Sequence, residues 1–182
     1  MKQHRHPDAR SPLVLDLHDL TRRAGTIKRL HLVVPAPADL GIDMIGVPKD
    51  SDVTLDLRLE SVVEGVLVTG IAEVALVGEC ARCLESIADK ASYELQELFV
   101  YSGKDADEDA SWVVDDQVDL DAALRDAVVL NLPFTPLCRD DCLGLCPVCG
   151  ANLNRDPKHQ HDAQPDSRWG RLAGLTVDDG DD

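Results

Sequence analysis

Residues 138–150 read CRDDCLGLCPVCG, and residues 80–83 read CARC. These two stretches contain all six cysteines of the chain, and two histidines follow the second stretch closely. Structural zinc takes four ligands, and a CxxC turn places two thiolates at the spacing that one ion needs. The sequence therefore predicts eight ligands in two tetrahedral zinc sites. They are Cys80, Cys83, Cys138, Cys142, Cys146, Cys149, His159 and His161.

A disulfide framework is the alternative reading of the cysteines, and it would require an oxidising compartment. The first 20 residues carry charge but lack the apolar centre of a signal peptide, because Asp16 and Asp19 interrupt the leucines. No uncharged stretch reaches the roughly 18 residues that a membrane span needs. We therefore expect a cytoplasmic protein with reduced cysteines.

The chain has 182 residues, of which 44% are hydrophobic and 3% aromatic, so we expect a core of aliphatic side chains. Its formal net charge is −16, and four thiolates around one divalent zinc would make it roughly −18. A protein that captures free RNA by itself is expected to be basic. The charge favours a basic protein partner instead.

Charge is distributed unevenly along the chain. Residues 1–31 are net positive, whereas acidic residues gather between 105 and 121 and again at 178–182. Such runs are more often a solvated loop and a solubilising tail than a docking surface, and we expect the former. The basic end is too short a patch to indicate an RNA site.

Hydrophobic periodicity predicts three strands. Residues 53–60 alternate between apolar and polar side chains, which is the period of a half-buried strand. Residues 62–68 indicate a hairpin turn, after which the chain continues as a strand to Gly78. Residues 87–99 give a third alternating run. Cys80 and Cys83 are therefore expected to lie at the end of a hairpin.

Two shorter helical segments are also predicted. The leucines of residues 13–20 indicate a strand followed by a short helix that runs through Arg23. Asp119 is the predicted N-cap of a helix with its apolar face on residues 120–128, ending near Pro133. The second cysteine stretch would follow directly after this helix.

These elements predict an α+β fold, an antiparallel β-sheet with a packed helix and a zinc-stapled C-terminal knuckle region. We expect four segments along the chain. They are a disordered lead (1–11), an α+β core that carries the first CxxC (12–137), a Cys/His zinc-binding region (138–175) and an acidic tail (176–182).

The sequence has no Gly-rich phosphate loop and no GxSxG, HExxH or HxE signature. A zinc site closed by four protein ligands leaves no open position for a reacting water, so the zinc is expected to be structural. Arg82, inside the first CxxC, is expected to screen the negative charge of the thiolates. The chain is therefore expected not to be an enzyme.

Three stretches carry a resemblance to a known family: CARCLE at 80–85, LPFTPLC at 132–138 and CLGLCPVCGANLN at 142–154. They closely resemble the YceD family, the large ribosomal RNA subunit accumulation proteins, in a form with an extra CPxCG motif. The resemblance extends over roughly residues 10–175, and its two cysteine elements are highly specific. It implies a role in biogenesis of the large ribosomal subunit.

Arg168, Trp169 and Leu172 also resemble the C-terminal element of that family. One departure concerns the ligands, because relatives often carry a CxC pair where this chain has His159 and His161. Imidazole can replace thiolate at zinc, so the second site can survive the exchange. The alternative is that these two histidines do not bind metal.

Two pairings of the ligands remain open. Family members without CPxCG keep the CxRC pair and ligand-type residues near Cys138 and Cys142, which implies that these four residues form one site. The second site would then hold Cys146, Cys149, His159 and His161. In the rival pairing, the two CxxC pairs form a zinc ribbon and the remaining cysteines are spare.

The resemblance and the charge together favour a non-enzymatic assembly factor that binds a basic ribosomal protein or a large-subunit precursor. A thiol redox or zinc-responsive regulator is the main alternative, and it would need an exposed CxxC of low pKa. An RNA-binding module would need the basic end and a zinc knuckle to form one continuous positive face.

Overall fold

The computed structural model describes residues 11–20, 23–101 and 110–161. The chain divides into two compact units, unit 1 (Met1–Cys142) and unit 2 (Leu143–Asp182). All named strands and the helix lie in unit 1. They are β1 (Val14–Asp16), β2 (Ile27–Pro35), β3 (Gly41–Ile42), β4 (Ile45–Gly46), β5 (Asp52–Ser61), β6 (Gly65–Glu79), β7 (Ser86–Val100), β8 (Ser111–Trp112), β9 (Gln117–Asp119) and α1 (Asp121–Val129).

Strand β6 is the centre of a seven-stranded sheet. It pairs with β7 over all 15 of its residues, and its other side pairs with β5 and, near its end, with β4. Strand β2 extends the sheet beyond β5, and every one of these pairs is antiparallel. The short parallel pair of β7 and β8 is the exception.

The core lies on one face of this sheet. Strand β5 buries Val53, Leu55, Leu57 and Leu59 and exposes the alternate residues, because successive side chains of a strand point to opposite faces. Helix α1 covers this face with Leu124 and Val128, both fully buried. The expected α+β fold, an antiparallel sheet with a packed helix, is confirmed.

Two details of the predicted pattern are wrong. The segment after β1 is a turn in its described part, not a helix: Leu20 N–H donates to Leu17 O, and the Asp16 carboxylate accepts from His18 N–H. An aspartate that binds a nearby backbone amide offers the chain an alternative to the helix. The N-cap of α1 is Leu120 rather than Asp119.

Strand β2 was not expected from the sequence. Its residues alternate in exposure, with Leu30, Leu32 and Val34 on the inner row, but Lys28 occupies that row as well. Because a lysine interrupts the apolar alternation, the sequence pattern does not indicate a strand here. The backbone pairing with β5 identifies it as one.

Several segments singled out in the sequence fall outside the described residues. They are the lead (1–10), the acidic run at 102–109 and residues 162–182, which include Trp169 and the acidic tail. Among the described residues, no helix is long and apolar enough to cross a membrane.

Candidate metal centres

The hairpin of β6 and β7 ends in a six-residue loop that presents the first two thiols. Cys80 N–H donates to Glu85 O, and Leu84 N–H donates back to Cys80 O, both at 2.9 Å. Gly78 lies just before this loop, and a Cβ there would come within 2.4 Å of Met44 O. The glycine therefore permits the close approach of the β4 hairpin to the strand that leads to Cys80.

The chain that follows α1 brings two more thiols to this loop. Leu132 is buried after the helix, and Ala81 N–H donates to Pro136 O at 2.8 Å. The guanidinium of Arg82 donates to Cys142 O at 2.9 Å. These two hydrogen bonds hold the segment that carries Cys138 and Cys142 against the hairpin tip.

Four sulfur atoms meet there, in a cluster that we call centre A: Cys80, Cys83, Cys138 and Cys142. All four lie within 4.8 Å of one another. Cys80 Sγ is 3.7 Å from Cys142 Sγ, and Cys83 Sγ is 3.6 Å from Cys138 Sγ. Tetrahedral zinc with bonds of about 2.3 Å separates its sulfurs by about 3.8 Å, whereas a disulfide needs about 2.05 Å. The spacing fits a metal ion and not a disulfide.

The electrostatics of centre A also favour a cation. Burial by itself would raise the pKa of the Cys80 thiol, but backbone amides of Cys138, Cys83 and Arg82 lower this pKa to about 6. Burial and the neighbouring thiols of Cys83 and Cys142 raise the pKa of Cys138 to about 12. Four thiolates this close repel one another unless a positive ion lies between them. A divalent ion would allow all four to ionise.

Unit 2 contains a second group of candidate ligands, which we call centre B: Cys146, Cys149, His159 and His161. Their ligand atoms lie within 4.8 Å of one another. The Nε2 atoms of the two imidazoles are 2.9 Å apart and lie 3.1 and 3.2 Å from Cys149 Sγ. Nitrogen and sulfur ligands of tetrahedral zinc are about 3.6 Å apart. An ion would fit after the ligands move apart by a few tenths of an ångström.

A small network of hydrogen bonds supports centre B, and none of the described residues of unit 2 belongs to the apolar core. Leu153 N–H donates to Gly144 O, and the side chain of Asn154 accepts from Leu143 N–H at 2.8 Å. Backbone amides of Cys149 and Val148 lower the pKa of the Cys146 thiol to about 6. The first thiol of this CxxC is therefore poised as a thiolate, the form that binds metal.

The two CxxC loops have the same backbone hydrogen bonds. In each, the first cysteine donates its N–H to the carbonyl five residues later and accepts from the N–H four residues later. The residue after the second cysteine has positive φ in both, 60° at Leu84 and 74° at Gly150. Glycine suits this conformation, whereas leucine is strained in it.

The structure brings the eight predicted ligand residues together as two groups of four, which is the first of the two pairings considered. Three further residues lie next to these groups. Arg82, which was expected to screen the thiolate charge, donates to the backbone carbonyl of Cys142. Sequence reasoning missed the other two: the Asn154 side chain accepts from Leu143 N–H, and the Asp156 carboxylate lies 3.9 Å from Nδ1 of His159. This distance is too long for a hydrogen bond, which at Nδ1 would orient the imidazole so that Nε2 faces a metal. The only sequence signal for Asp156 was its position three residues before His159.

Comparison with known proteins identifies the family. The family model described as "Large ribosomal RNA subunit accumulation protein YceD" matches residues 68–176, which include both centres. The chain belongs to the YceD family. An uncharacterized protein of Mycobacterium tuberculosis is 44% identical over 170 residues, covering 91% of this chain and 82% of that protein.

An uncharacterized protein of Mycobacterium leprae is 40% identical over 174 residues, which cover 93% of this chain and 80% of that protein. A maize protein is named "Large ribosomal RNA subunit accumulation protein YCED homolog 1, chloroplastic". It is 35% identical over 57 residues, which cover 28% of this chain and 20% of that protein. No solved structure matches the chain significantly.

Proposed function

We propose that this YceD-family protein is a non-enzymatic factor that supports the accumulation of large-subunit ribosomal RNA. It acts in the cytoplasm by binding a basic ribosomal protein or a large-subunit precursor. The match of the family model over residues 68–176 carries the proposal. The net charge of −16 adds support, because an acidic surface attracts basic proteins and repels free RNA.

In the same proposal, centres A and B each bind one structural zinc ion. Four cysteine or histidine ligands complete a tetrahedral site and leave no position for a substrate. The proposed role of zinc is to fix the hairpin tip in unit 1 and to fold the loop in unit 2, without turnover.

A thiol redox regulator is the second candidate, and the lowered pKa values of Cys80 and Cys146 favour it. Reactive thiols are also exposed, however, and these two are 0% and 7% exposed. Burial of the two thiolates argues against exchange with external thiols. The redox candidate predicts that mild oxidation changes the activity of the protein in cells.

Deletion of the gene tests the proposed function. We expect mature large-subunit RNA to fall relative to small-subunit RNA, and sucrose gradients should show fewer free large subunits. Wild-type protein should restore the ratio, whereas Cys80→Ser with Cys83→Ser should fail because the hairpin tip loses its metal ligands. Normal subunit profiles at low, optimal and high growth temperatures would contradict the proposal.

Affinity purification at low and high salt tests the nature of the partner. A basic ribosomal protein held by charge should be retained at low salt and lost at high salt, because exposed charges are screened over about 8 Å at physiological ionic strength. Neutralising the sequence-defined acidic run at Asp105, Asp107, Glu108 and Asp109 should weaken capture at low salt in particular. Recovery of RNA without ribosomal protein would contradict this choice of partner.

A further inference from the structure

Strand β7 has a long open edge. One side pairs with β6 along the whole strand, but on the other side, within the described residues, pairing to β8 is confined to Phe99 and Val100. Alternate residues of Ser86–Gln96 therefore present backbone donors and acceptors over about 37 Å, with no neighbouring strand among the residues that the structure describes. This open edge starts at the loop of centre A.

Proteins usually protect such an edge with a proline, a bulge or charged side chains, lysine above all. The open edge of β7 has no proline, and its register with β6 continues without interruption. Strand β7 carries one lysine, Lys90, but the same stretch has Asp89 and Glu94, so the open edge has a net negative charge. The opposite edge, β2, carries Lys28 and Arg29, has no acidic residue and ends at Pro35. Of these two edges, β7 is the one whose charge suits a basic strand.

The charge on the β6–β7 hairpin has one dominant sign. Residues 65–100 contain six acidic and two basic side chains. On β7, Asp89 and Glu94 occupy opposite faces because they are five residues apart, and both are exposed. The net negative charge opposes pairing with a second copy of this edge. A basic strand would find a carboxylate on each of its faces, with Lys90 as the one cation on the face of Glu94.

We propose that the open edge, Ser86–Gln96, binds an extended basic segment of the partner protein as an added β-strand. Backbone hydrogen bonds supply binding that does not depend on sequence, and lysine or arginine side chains opposite Asp89 and Glu94 supply selectivity. The inference rests on the proposed function for the identity of the partner, and it specifies where on unit 1 that partner binds.

The outer face of the sheet fits such a segment less well. It exposes Val33 and Ile71, but its charges are mixed, with Arg29 directly opposite Arg58 on the neighbouring strand. A basic segment would meet two arginines there. The β7 edge has a single basic side chain, Lys90, which directly follows Asp89, and its outer backbone groups have no neighbouring strand within the described residues.

Amide hydrogen exchange of the full chain, loaded with zinc and followed by NMR, tests the proposal directly. The probe is an 11-residue peptide of alternating lysine and threonine, and its control has glutamate in place of lysine. We expect the basic peptide to slow exchange at every second residue of Ser86–Gln96, because alternate amides of an edge strand point outward. Protection at β2, or perturbation of Ile71 and Val77 alone, would overturn the proposal.

A matched pair of variants tests the role of charge. Asp89→Asn with Glu94→Gln should weaken peptide binding by about tenfold, as expected from two cross-strand ion pairs. Asp43→Asn with Asp50→Asn removes the same charge from exposed residues elsewhere and should change affinity less than about twofold. An equal loss of peptide affinity in both variants would show that the peptide is attracted by net charge alone, and this would overturn strand addition.

The two proposals fail separately. If deletion lowers large-subunit RNA but no alternate-residue protection develops in β7, strand addition is wrong and the proposed function stands. If β7 becomes protected while deletion leaves ribosomal RNA unchanged, the edge binds basic strands and the ribosomal function is wrong. A peptide-independent increase in sedimentation with protected β7 amides would identify a second copy as the occupant and would overturn the proposal.

Discussion

The Sγ atoms of Cys80 and Cys142 lie 3.7 Å apart across 62 residues of sequence. Cys80 is at the tip of the β6–β7 hairpin, and Cys142 ends the segment that follows α1. An ion between them would close a long loop of unit 1, and metal binding in such sites contributes directly to folding. Centre A therefore connects the sheet to the chain beyond the helix.

Replacing Cys142 with serine should remove one zinc ion per chain and lower the thermal midpoint of unit 1 by roughly 10 °C or more. The matched control is Cys149→Ser, which should also remove one ion but leave the unfolding of unit 1 unchanged. Metal analysis and circular dichroism measure both effects. Full zinc content in Cys142→Ser, with a destabilised hairpin in Cys149→Ser, would instead support the zinc-ribbon pairing.

Unit 2 should be more sensitive to chelators than unit 1. None of its described residues belongs to the apolar core, and one of its two cysteines, Cys149, is exposed, whereas three of the four cysteines of centre A are buried. Moderate EDTA should therefore remove the ion of centre B first, with loss of amide protection at residues 144–153. Release of both ions at the same chelator concentration would contradict this difference.

The histidines of centre B are tested by the double variant His159→Ala and His161→Ala. We expect it to lose one zinc ion and to match Cys149→Ser in chelator sensitivity, because each leaves the site with fewer than four ligands. His31→Ala is a control, because this exposed histidine pairs with Asp56 far from both centres in the chain. Unchanged zinc content in the double variant would show that the two histidines do not bind metal.

Leu84 and Gly150 occupy equivalent positions in the two CxxC loops, so exchanges there should have opposite signs. Leu84→Gly removes a left-handed leucine conformation that costs about 1–2 kcal/mol, against an entropic cost of about 0.5–1 kcal/mol for the glycine. We expect a small gain in stability. Gly150→Ala should destabilise the loop by about 1 kcal/mol. Urea denaturation measures the first change, and zinc affinity by competition measures the second.

The sequence predicted those features that depend on local pattern. Alternation along β5 marked a half-buried strand, and the CxxC spacing marked the candidate cysteine ligands, because both depend on neighbours in the chain. Strand β2 escaped prediction since Lys28 occupies its inner row. The hydrogen bond from Arg82 to Cys142 O joins residues 60 apart, and no local pattern encodes such a contact.

The content of zinc per chain tests the account most directly. Protein purified without chelator should be measured by native mass spectrometry, which counts bound ions and distinguishes free thiols from disulfides by mass. The account predicts two zinc ions and six reduced cysteines in one species. A chain with no metal and three disulfides, prepared from cytosolic extract under anaerobic conditions, would contradict it.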